Sequence, residues 1–189
     1  MGKTLGVENV SVRAKRLAET YEDLTELQQA SGGILTFEID GSPPDKFNEV
    51  ILRLRGLQSV AKLDDRGMPV FRTDHELSID FTGFPVREPK IVFRSPIFHP
   101  NVWPSRLVCI DWDASLPAFE VFVGLVNMIQ YYSQHHVNPK SAANIKAAEW
   151  AEKNPWVFQN TSRFPKVKFP PLLRKIGRVK TSDAVDWGT

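Results

Sequence analysis

The segment Ser95–Asp111, SPIFHPNVWPSRLVCID, constrains the fold of this chain more than any other stretch. Its three prolines, Pro96, Pro100 and Pro104, lack backbone N–H donors and have a fixed φ, so the segment cannot form a regular helix or a central strand. The apolar residues between the prolines can still anchor it to a core. We therefore predict a rigid loop held by a scaffold, which is a common setting for functional residues.

This loop carries a thiol and a side-chain amide at a fixed separation. Asn101 closes a His99-Pro100-Asn101 triplet and precedes Cys109, the only cysteine of the chain, by eight residues. A cysteine thiolate is a nucleophile for carbonyl carbons, and its attack is helped by an accessible sulfur and a group that stabilises the oxyanion. The alternatives are a buried structural cysteine and an asparagine that only forms a turn after proline.

The composition is that of one ordinary domain with a short extension. The chain has 189 residues, of which 42% are apolar, and it has no run of about 18 consecutive apolar residues that could span a membrane. We expect residues 1–160 to form a single domain and residues 161–189 a basic, proline-containing extension. The extension has seven basic and two acidic residues, so its net charge is +5 against +2 for the whole chain. We expect it to dock on its own domain or on a partner protein rather than on nucleic acid.

The sequence argues against several other kinds of site. The N-terminus has no apolar run, so we expect no secretory signal. A lone cysteine cannot form an internal disulfide or a cysteine-rich zinc site, and the four histidines show no metal-ligand spacing. We therefore expect no metal and no cofactor, and a reducing, cytoplasmic compartment.

Hydrophobic periodicity predicts a helix followed by four strands. Ser11 is the predicted N-cap of a helix that continues to Ala30 and ends at Ser31-Gly32-Gly33. Alternation of apolar and polar residues predicts strands that are joined by turns such as GSPPD and DDRGM. These strands cover residues 34–40, 50–57, 75–81 and 90–93. A helix in front of an antiparallel meander indicates an α+β fold.

Two further helices are predicted after the loop. Residues 117–134 show apolar side chains at helical spacing, which indicates a helix packed in the core. Residues 138–154 contain a second helix, for which Ser141 is the predicted N-cap. A short apolar stretch, PWVF, follows at residues 155–158.

The segment around Cys109 resembles the active-site segment of ubiquitin-conjugating enzymes. That family combines a His-Pro-Asn triplet with an eight-residue step to the cysteine, followed by an apolar residue and an aspartate, here Ile110 and Asp111. The resemblance covers roughly residues 12–154 and implies an N-terminal helix, a four-stranded antiparallel meander sheet, a long active-site loop and C-terminal helices. The long Gln58–Thr73 region is a departure, and so is the absence of the family's tryptophan before Pro117-Ala118, where Ser115 and Leu116 stand. They suggest a divergent member, and a bacterial ubiquitin-like pathway is one hypothesis.

The resemblance implies a transferase mechanism. Cys109 would receive a ubiquitin-like modifier from an activating enzyme as a thioester and pass it to an amine, usually that of lysine. Asn101 would help to shape the loop and stabilise the oxyanion, and His99 would be mainly structural, bonding within the loop.

Three further polar residues match family positions near the cysteine. Ser141 corresponds to a gate position. His135 and His136 fall near family acids that orient the incoming lysine, and a histidine could act there as a base near neutral pH. The alternative is that both histidines are exposed at a helix C-terminus, where the helix dipole favours their positive charge.

Two partner surfaces are implied in the same way. Family members use basic residues of the first helix to meet the activating enzyme, and here these are Arg13, Lys15 and Arg16. The alternative for these residues is a solvated helix face. The predicted ligase contacts are Val86, Pro117 and Ala118.

Two other functions fit parts of the same pattern. A non-catalytic variant of the fold would bind a modifier or a partner without thioester chemistry, although such variants usually lack the cysteine. A cysteine hydrolase would need a histidine beside the sulfur, and the sequence cannot place His135 or His136 that close.

Overall fold

The computed structural model describes residues 11–109, 118–131 and 142–158. Within these ranges the chain begins with helix α1 (Val12–Ala30), continues through six strands and ends with two helices and a 3₁₀ turn. The remaining elements are β1 Leu35–Ile39, β2 Glu49–Leu54, β3 Ser59–Leu63, β4 Pro69–Arg72, β5 His75–Asp80, β6 Lys90–Phe93, α2 Ala118–Ile129, α3 Ile145–Lys153 and the 3₁₀ turn Pro155–Val157. Among the described residues, no helix combines the length and the apolar character needed to cross a lipid bilayer.

Helix α1 begins and ends where its sequence predicts. The Oγ atom of Ser11 accepts a hydrogen bond from the Ala14 N–H at 3.1 Å, which satisfies a backbone donor of the first turn. The helix ends at Ser31, and Gly32 follows with φ +61°, a conformation that glycine adopts without steric cost. The leucines of its apolar face are fully buried, namely Leu17, Leu24 and Leu27.

The central sheet is the predicted antiparallel meander. Its four strands lie in the order β1-β2-β5-β6, and each neighbouring pair is antiparallel. On β2, Val50, Leu52 and Leu54 are fully buried. Arg53 lies on the opposite face, where it forms ion pairs with Glu38 and Glu76. The α+β architecture with one buried sheet face is therefore confirmed.

The strands β3 and β4 form a second, two-stranded hairpin that the sequence did not reveal. For this region only the polar turn at residues 64–68 was predicted. Asp64 closes that turn by accepting hydrogen bonds from the backbone N–H groups of Arg66 and Met68 at 2.9 and 2.8 Å. The strands themselves are four or five residues long, and β4 is largely exposed, so they lack the alternation of a half-buried strand.

Two of the predicted helix limits are wrong. Helix α2 ends at Ile129 rather than at residue 134, because Gln130 and Tyr131 form a turn in which Tyr131 has a positive φ of 53°. Helix α3 begins at Ile145, and its N-cap is Asn144, whose side chain accepts a hydrogen bond from the Ala147 N–H at 3.1 Å. Ser141 is therefore not the cap. Asparagine and serine cap helices about equally well, and here the Asn144 side chain makes the capping bond.

Two hydrophobic clusters hold the elements together. The larger one joins α1 and α2 to the inner face of the sheet, and Phe122 of α2 is buried in it. The smaller one lies beneath the β3–β4 hairpin and consists of Val60, Tyr131, Ala151 and Val157. The loop that carries Cys109 lies beside this smaller cluster, where Phe98 packs against it.

A buried carboxylate links α1 to the start of α2. Asp23 is only 8% exposed, and its Oδ2 atom accepts a hydrogen bond from the Phe119 N–H at 3.3 Å. Burial, with a smaller contribution from the negative charge of Glu26, raises the pKa of Asp23 to about 6 despite the opposing backbone hydrogen bonds. Because the pKa in the folded state exceeds the ordinary aspartate value of 3.8, the folded state binds more protons than the unfolded state between these two values.

The raised pKa of Asp23 predicts whether replacing this residue stabilises or destabilises the protein. Stability from this group should fall as pH rises from about 4 to about 6 and then level off. Asp23→Asn removes the charge and keeps an oxygen that can accept from Phe119, so we expect it to stabilise the protein at pH 7 by about 1–3 kcal/mol. At pH 4 the two proteins should be nearly equal. Urea unfolding at both pH values measures this, with the exposed Glu22→Gln as control. Destabilisation at pH 7 would contradict it.

Candidate active site

The loop that carries Cys109 is tied to three separate elements by backbone hydrogen bonds. The Phe98 N–H donates to the Val60 carbonyl of β3 at 2.8 Å. The carbonyl of Pro100 accepts a bond from the N–H of Asn144, the cap residue of α3, at 2.9 Å. The hydroxyl of Tyr131, just after α2, donates to the Phe98 carbonyl at 2.6 Å. The loop is therefore fixed by the scaffold although it has little regular secondary structure.

The eight-residue step from Asn101 to Cys109 is the register of a short hairpin. Val102 and Val108 pair in an antiparallel bridge. On one side of this bridge the Trp103 N–H donates to the Leu107 carbonyl at 2.8 Å, and on the other the Cys109 N–H donates to the Asn101 carbonyl at 2.7 Å. Asn101 and Cys109 therefore lie directly opposite each other on adjacent strands.

The outer arm of this hairpin is attached to the edge of the central sheet. The Val108 N–H donates to the Ile91 carbonyl of β6 at 2.9 Å, and Leu107 pairs with Val92. Val108 is buried, whereas the next residue, Cys109, is exposed. The backbone of the cysteine is thus held rigidly while its sulfur faces solvent, so a buried structural cysteine does not describe it.

An open groove of about 280 Å³ lies beside Cys109. Its lining combines apolar walls with one basic and one acidic side chain, and consists of Glu88, Pro89, Lys90, Ile91, Trp103, Leu107, Val108 and Cys109. The groove gives another polypeptide room to approach the sulfur.

His99 and Asn101 occupy different environments within the loop. His99 is 1% exposed, its Nδ1 atom accepts a hydrogen bond from the Asn101 N–H at 3.0 Å, and its ring centroid lies 4.4 Å from that of Tyr131. Asn101 is half-buried, and its Oδ1 atom is buried without a hydrogen-bond partner among the described residues. The imidazole therefore packs in the loop interior, whereas Asn101 pairs through its backbone with the cysteine in the hairpin.

The other predicted site residues lie outside the described ranges. Ser141 as gate, and His135 and His136 as candidate bases, therefore stay predictions. Among the described residues, no cluster of three or more His, Cys, Asp or Glu side chains could hold a metal ion.

The predicted activating-enzyme surface on α1 is partly engaged within the domain. Arg13 donates to the Oδ1 atom of Asn48 at 2.8 Å, and Arg16 pairs with Glu19 at 3.0 Å. The side chain of Lys15 is 72% exposed and only approaches Glu19 at 4.0 Å. Of the three basic residues, Lys15 presents its charge most openly to solvent.

The predicted ligase contacts are in unlike environments. Val86 is 93% exposed, in keeping with a contact residue. Ala118 is 4% exposed, because the start of α2 is held against Asp23 of α1, so its side chain cannot contact a ligase directly. Pro117 lies outside the described residues.

Tyr131 is the important residue that the sequence did not single out. It is 2% exposed, and burial raises its pKa, which keeps the hydroxyl protonated and able to donate to Phe98. A tyrosine at the end of an apolar helix is a weak signal for this role, because buried tyrosines generally need a hydrogen-bond partner but the sequence does not say which.

Removal of the Tyr131 hydroxyl should loosen the loop. Tyr131→Phe leaves the partly buried Phe98 carbonyl without this donor, and we expect a loss of about 1–3 kcal/mol in unfolding free energy. Urea unfolding measures the loss. Tyr21→Phe, at a half-buried ring on α1, is the matched control and should stay within about 0.5 kcal/mol of the parent. Equal stabilities of the Tyr131 variant and the parent would contradict the anchoring role.

The chain is similar in sequence to known proteins. The family model described as "Ubiquitin-conjugating enzyme" matches residues 70–165. The SUMO-conjugating enzyme UBC9 of Caenorhabditis elegans is 28% identical over 97 residues, which are 48% of this chain and 55% of that protein. The Sumo-conjugating enzyme ubc9 of Dictyostelium discoideum is 34% identical over 77 residues, which are 36% and 45% of the two chains. The chain thus spans about half the length of these curated relatives.

The fold comparison points the same way. The solved structure of S. cerevisiae Ubc12 superposes with a TM-score of 0.52 at 21% identity, covering 77% of this chain and 74% of that one. The fold, an N-terminal helix followed by an antiparallel meander sheet, is therefore that of conjugating enzymes. Because the family model matches half of the chain, the chain belongs to the ubiquitin-conjugating enzyme family. The relatives named above are eukaryotic, and a bacterial pathway stays a hypothesis.

Proposed function

We propose that this protein is an acyl carrier that accepts a ubiquitin-like modifier on Cys109 and transfers it to a lysine amine. In the first step the Cys109 thiolate attacks the carbonyl carbon of the activating enzyme's thioester, and the activating enzyme's thiolate leaves. In the second step the lysine amine attacks the Cys109 thioester. An isopeptide bond forms, the C–S bond breaks, and the amine loses a proton as the Cys109 thiol is restored.

The position of Cys109 is the observation that carries this proposal. Thioester exchange needs a sulfur that two large protein partners can reach in turn, and Cys109 is exposed at the edge of the sheet beside an open groove. Its backbone is held by hydrogen bonds on the hairpin, which reduces the entropy lost when the reacting atoms are aligned. Asn101 lies opposite Cys109 in the hairpin register, and its side-chain amide would stabilise the oxyanion that forms when the thioester carbonyl is attacked.

The names of the relatives guide the choice of modifier and partners. The two curated relatives described above are SUMO-conjugating enzymes, so SUMO and ubiquitin, each with its own activating enzyme, are the first modifiers to test. We propose that the exposed Lys15 face of α1 contacts the activating enzyme and that Val86 contributes to ligase binding. A free thiol carrier of this kind requires a reducing compartment, such as the cytoplasm.

A pulse-chase experiment separates transfer from its alternatives. The protein is first charged with modifier, the activating enzyme is then blocked, and free lysine or buffer is added. We expect lysine to accelerate loss of the thioester and to yield a lysine–modifier product. Hydrolysis to the free modifier at the same rate with and without lysine would indicate a cysteine hydrolase instead. Failure to charge with any modifier would favour the non-catalytic binding module.

A further inference from the structure

The β3–β4 hairpin and the 3₁₀ turn enclose a second, smaller groove on the domain. It has a volume of about 100 Å³ and aromatic walls. We call it the hairpin groove, and its lining includes Gln58, Val60, Phe71, Tyr131, Trp156 and Val157. The groove lies over the smaller hydrophobic cluster, whose members Val60, Tyr131 and Val157 form its buried part.

The two rings at the mouth of the hairpin groove are unusually exposed. Phe71 is 44% exposed and Trp156 is 57% exposed. Their ring centroids are 6.3 Å apart in an edge-to-face arrangement. Trp156 also packs edge-to-face against Trp150, with 5.9 Å between the ring centroids. Exposed aromatic surface above a well-packed apolar base often marks a place where another segment docks.

The chain itself supplies a suitable segment next to this groove. The described residues end at Phe158, two positions after Trp156, and the Phe158 ring packs edge-on against Tyr131 at 5.8 Å. Residues 164–176, FPKVKFPPLLRKI, begin six positions later and contain three prolines among phenylalanines and leucines. Proline-rich segments favour the polyproline II conformation, which docks readily into aromatic-lined grooves.

Reach and charge favour an intramolecular contact. The six residues from Phe158 to Phe164 can span at most about 20 Å when extended, which is ample for a groove that Trp156 and Val157 already line. The extension from residue 161 carries a net charge of +5, which leaves −3 on the first 160 residues. Opposite net charges on the two parts of the chain attract each other before any specific contact forms.

We propose that residues 164–176 dock in the hairpin groove of their own domain, with prolines and leucines of this segment covering Phe71 and Trp156. This assigns the basic extension an intramolecular role that does not depend on the transfer chemistry at Cys109. It also explains why two large aromatic rings can remain at the mouth of the groove: they are the binding surface for the extension.

A spin label on the extension tests this in the full-length protein. Cys109→Ser combined with Arg174→Cys leaves a single thiol, to which a nitroxide is attached. The indole N–H resonance of Trp156, assigned with Trp156→Phe, is then followed by NMR. We expect the nitroxide to broaden this resonance until it is lost, and we expect reduction of the nitroxide to restore it.

A matched variant and a mixing experiment decide between the possible occupants. Leu172→Asp together with Leu173→Asp, carrying the same label, should restore the Trp156 resonance, while the Trp150 resonance of the reduced samples reports that the domain is folded. Equal broadening with and without the two aspartates would overturn the proposal, because an undocked extension would then explain it. Chains that carry the nitroxide but no isotope label are also mixed with isotope-labelled chains that carry no nitroxide. Equally strong broadening of the Trp156 resonance in this mixture would overturn the proposal, because a second copy would then fill the groove.

Discussion

Asn101→Asp should leave charging of Cys109 intact and slow transfer of the modifier to lysine by about 100-fold or more. The aspartate has nearly the same shape as asparagine, but its carboxylate offers no N–H donor and adds a negative charge. During transfer a negative charge develops on the thioester oxygen, and Asn101 lies directly opposite Cys109 in the hairpin register. Single-turnover discharge to free lysine measures the effect.

The control for Asn101 must separate a chemical role from a structural one. Ser105→Ala changes an exposed polar residue in the turn of the same hairpin and should alter neither charging nor discharge. The melting temperature of Asn101→Asp reports on the loop itself. If the variant discharges at the parental rate, Asn101 serves only as a turn residue. If charging and melting temperature fall together, its role is structural.

Phe122→Ala should destabilise the domain by about 3–5 kcal/mol, the largest effect of any single substitution considered for stability. Phe122 is 1% exposed on α2 and belongs to the core cluster between the helices and the sheet. Truncation of its ring removes apolar contacts and leaves a cavity that the sheet and α1 cannot fill completely. Because a typical domain is stable by only about 5–15 kcal/mol, this would remove a large part of the total. Urea unfolding at 25 °C measures it.

Helix α2 offers its own matched control for Phe122. Glu120 is exposed in the first turn of the same helix, where its charge interacts favourably with the helix dipole. Glu120→Ala should therefore cost only about 0.3–1 kcal/mol. A cost below about 1 kcal/mol for Phe122→Ala would mean that α2 contributes little to the core, contrary to the burial described above.

Local signals in the sequence were sufficient for the main elements of the fold. Ser11 and the glycines after Ser31 define α1 by capping and backbone freedom, which depend on near neighbours. The alternation along β2 predicts which face of the sheet is buried, because side chains alternate along any strand. Both kinds of signal act over a few residues and need no knowledge of tertiary contacts.

The missed features depend on contacts between distant parts of the chain. Strand β4 is stabilised by pairing with β3, and Phe71 on it meets Trp156, which lies 85 positions later. The cap of α3 is Asn144 rather than Ser141, and the backbone N–H of Asn144 donates to the carbonyl of Pro100 in the loop that carries Cys109. Such pairings leave no periodic trace in the sequence.

The candidate site also combines a feature that the sequence predicts with features that depend on distant contacts. The eight-residue spacing between Asn101 and Cys109 singled out the two residues through its resemblance to the signature of ubiquitin-conjugating enzymes. The structure shows that this separation is the register of a hairpin attached to β6. The anchor supplied by the Tyr131 hydroxyl could not be predicted, since Phe98 and Tyr131 are 33 positions apart.

The most direct test of the central claim is to charge the protein and locate the adduct. The parent, Cys109→Ala and Cys109→Ser are each incubated with ATP, an activating enzyme and its modifier, first SUMO and then ubiquitin, and analysed by intact-mass spectrometry with and without reducing agent. We predict a thiol-sensitive adduct of one modifier on the parent, none on Cys109→Ala, and a thiol-resistant ester on Cys109→Ser. An adduct that persists on Cys109→Ala would contradict the assignment of Cys109 as the acyl carrier, and so would a folded parent that is not charged by any cognate pair.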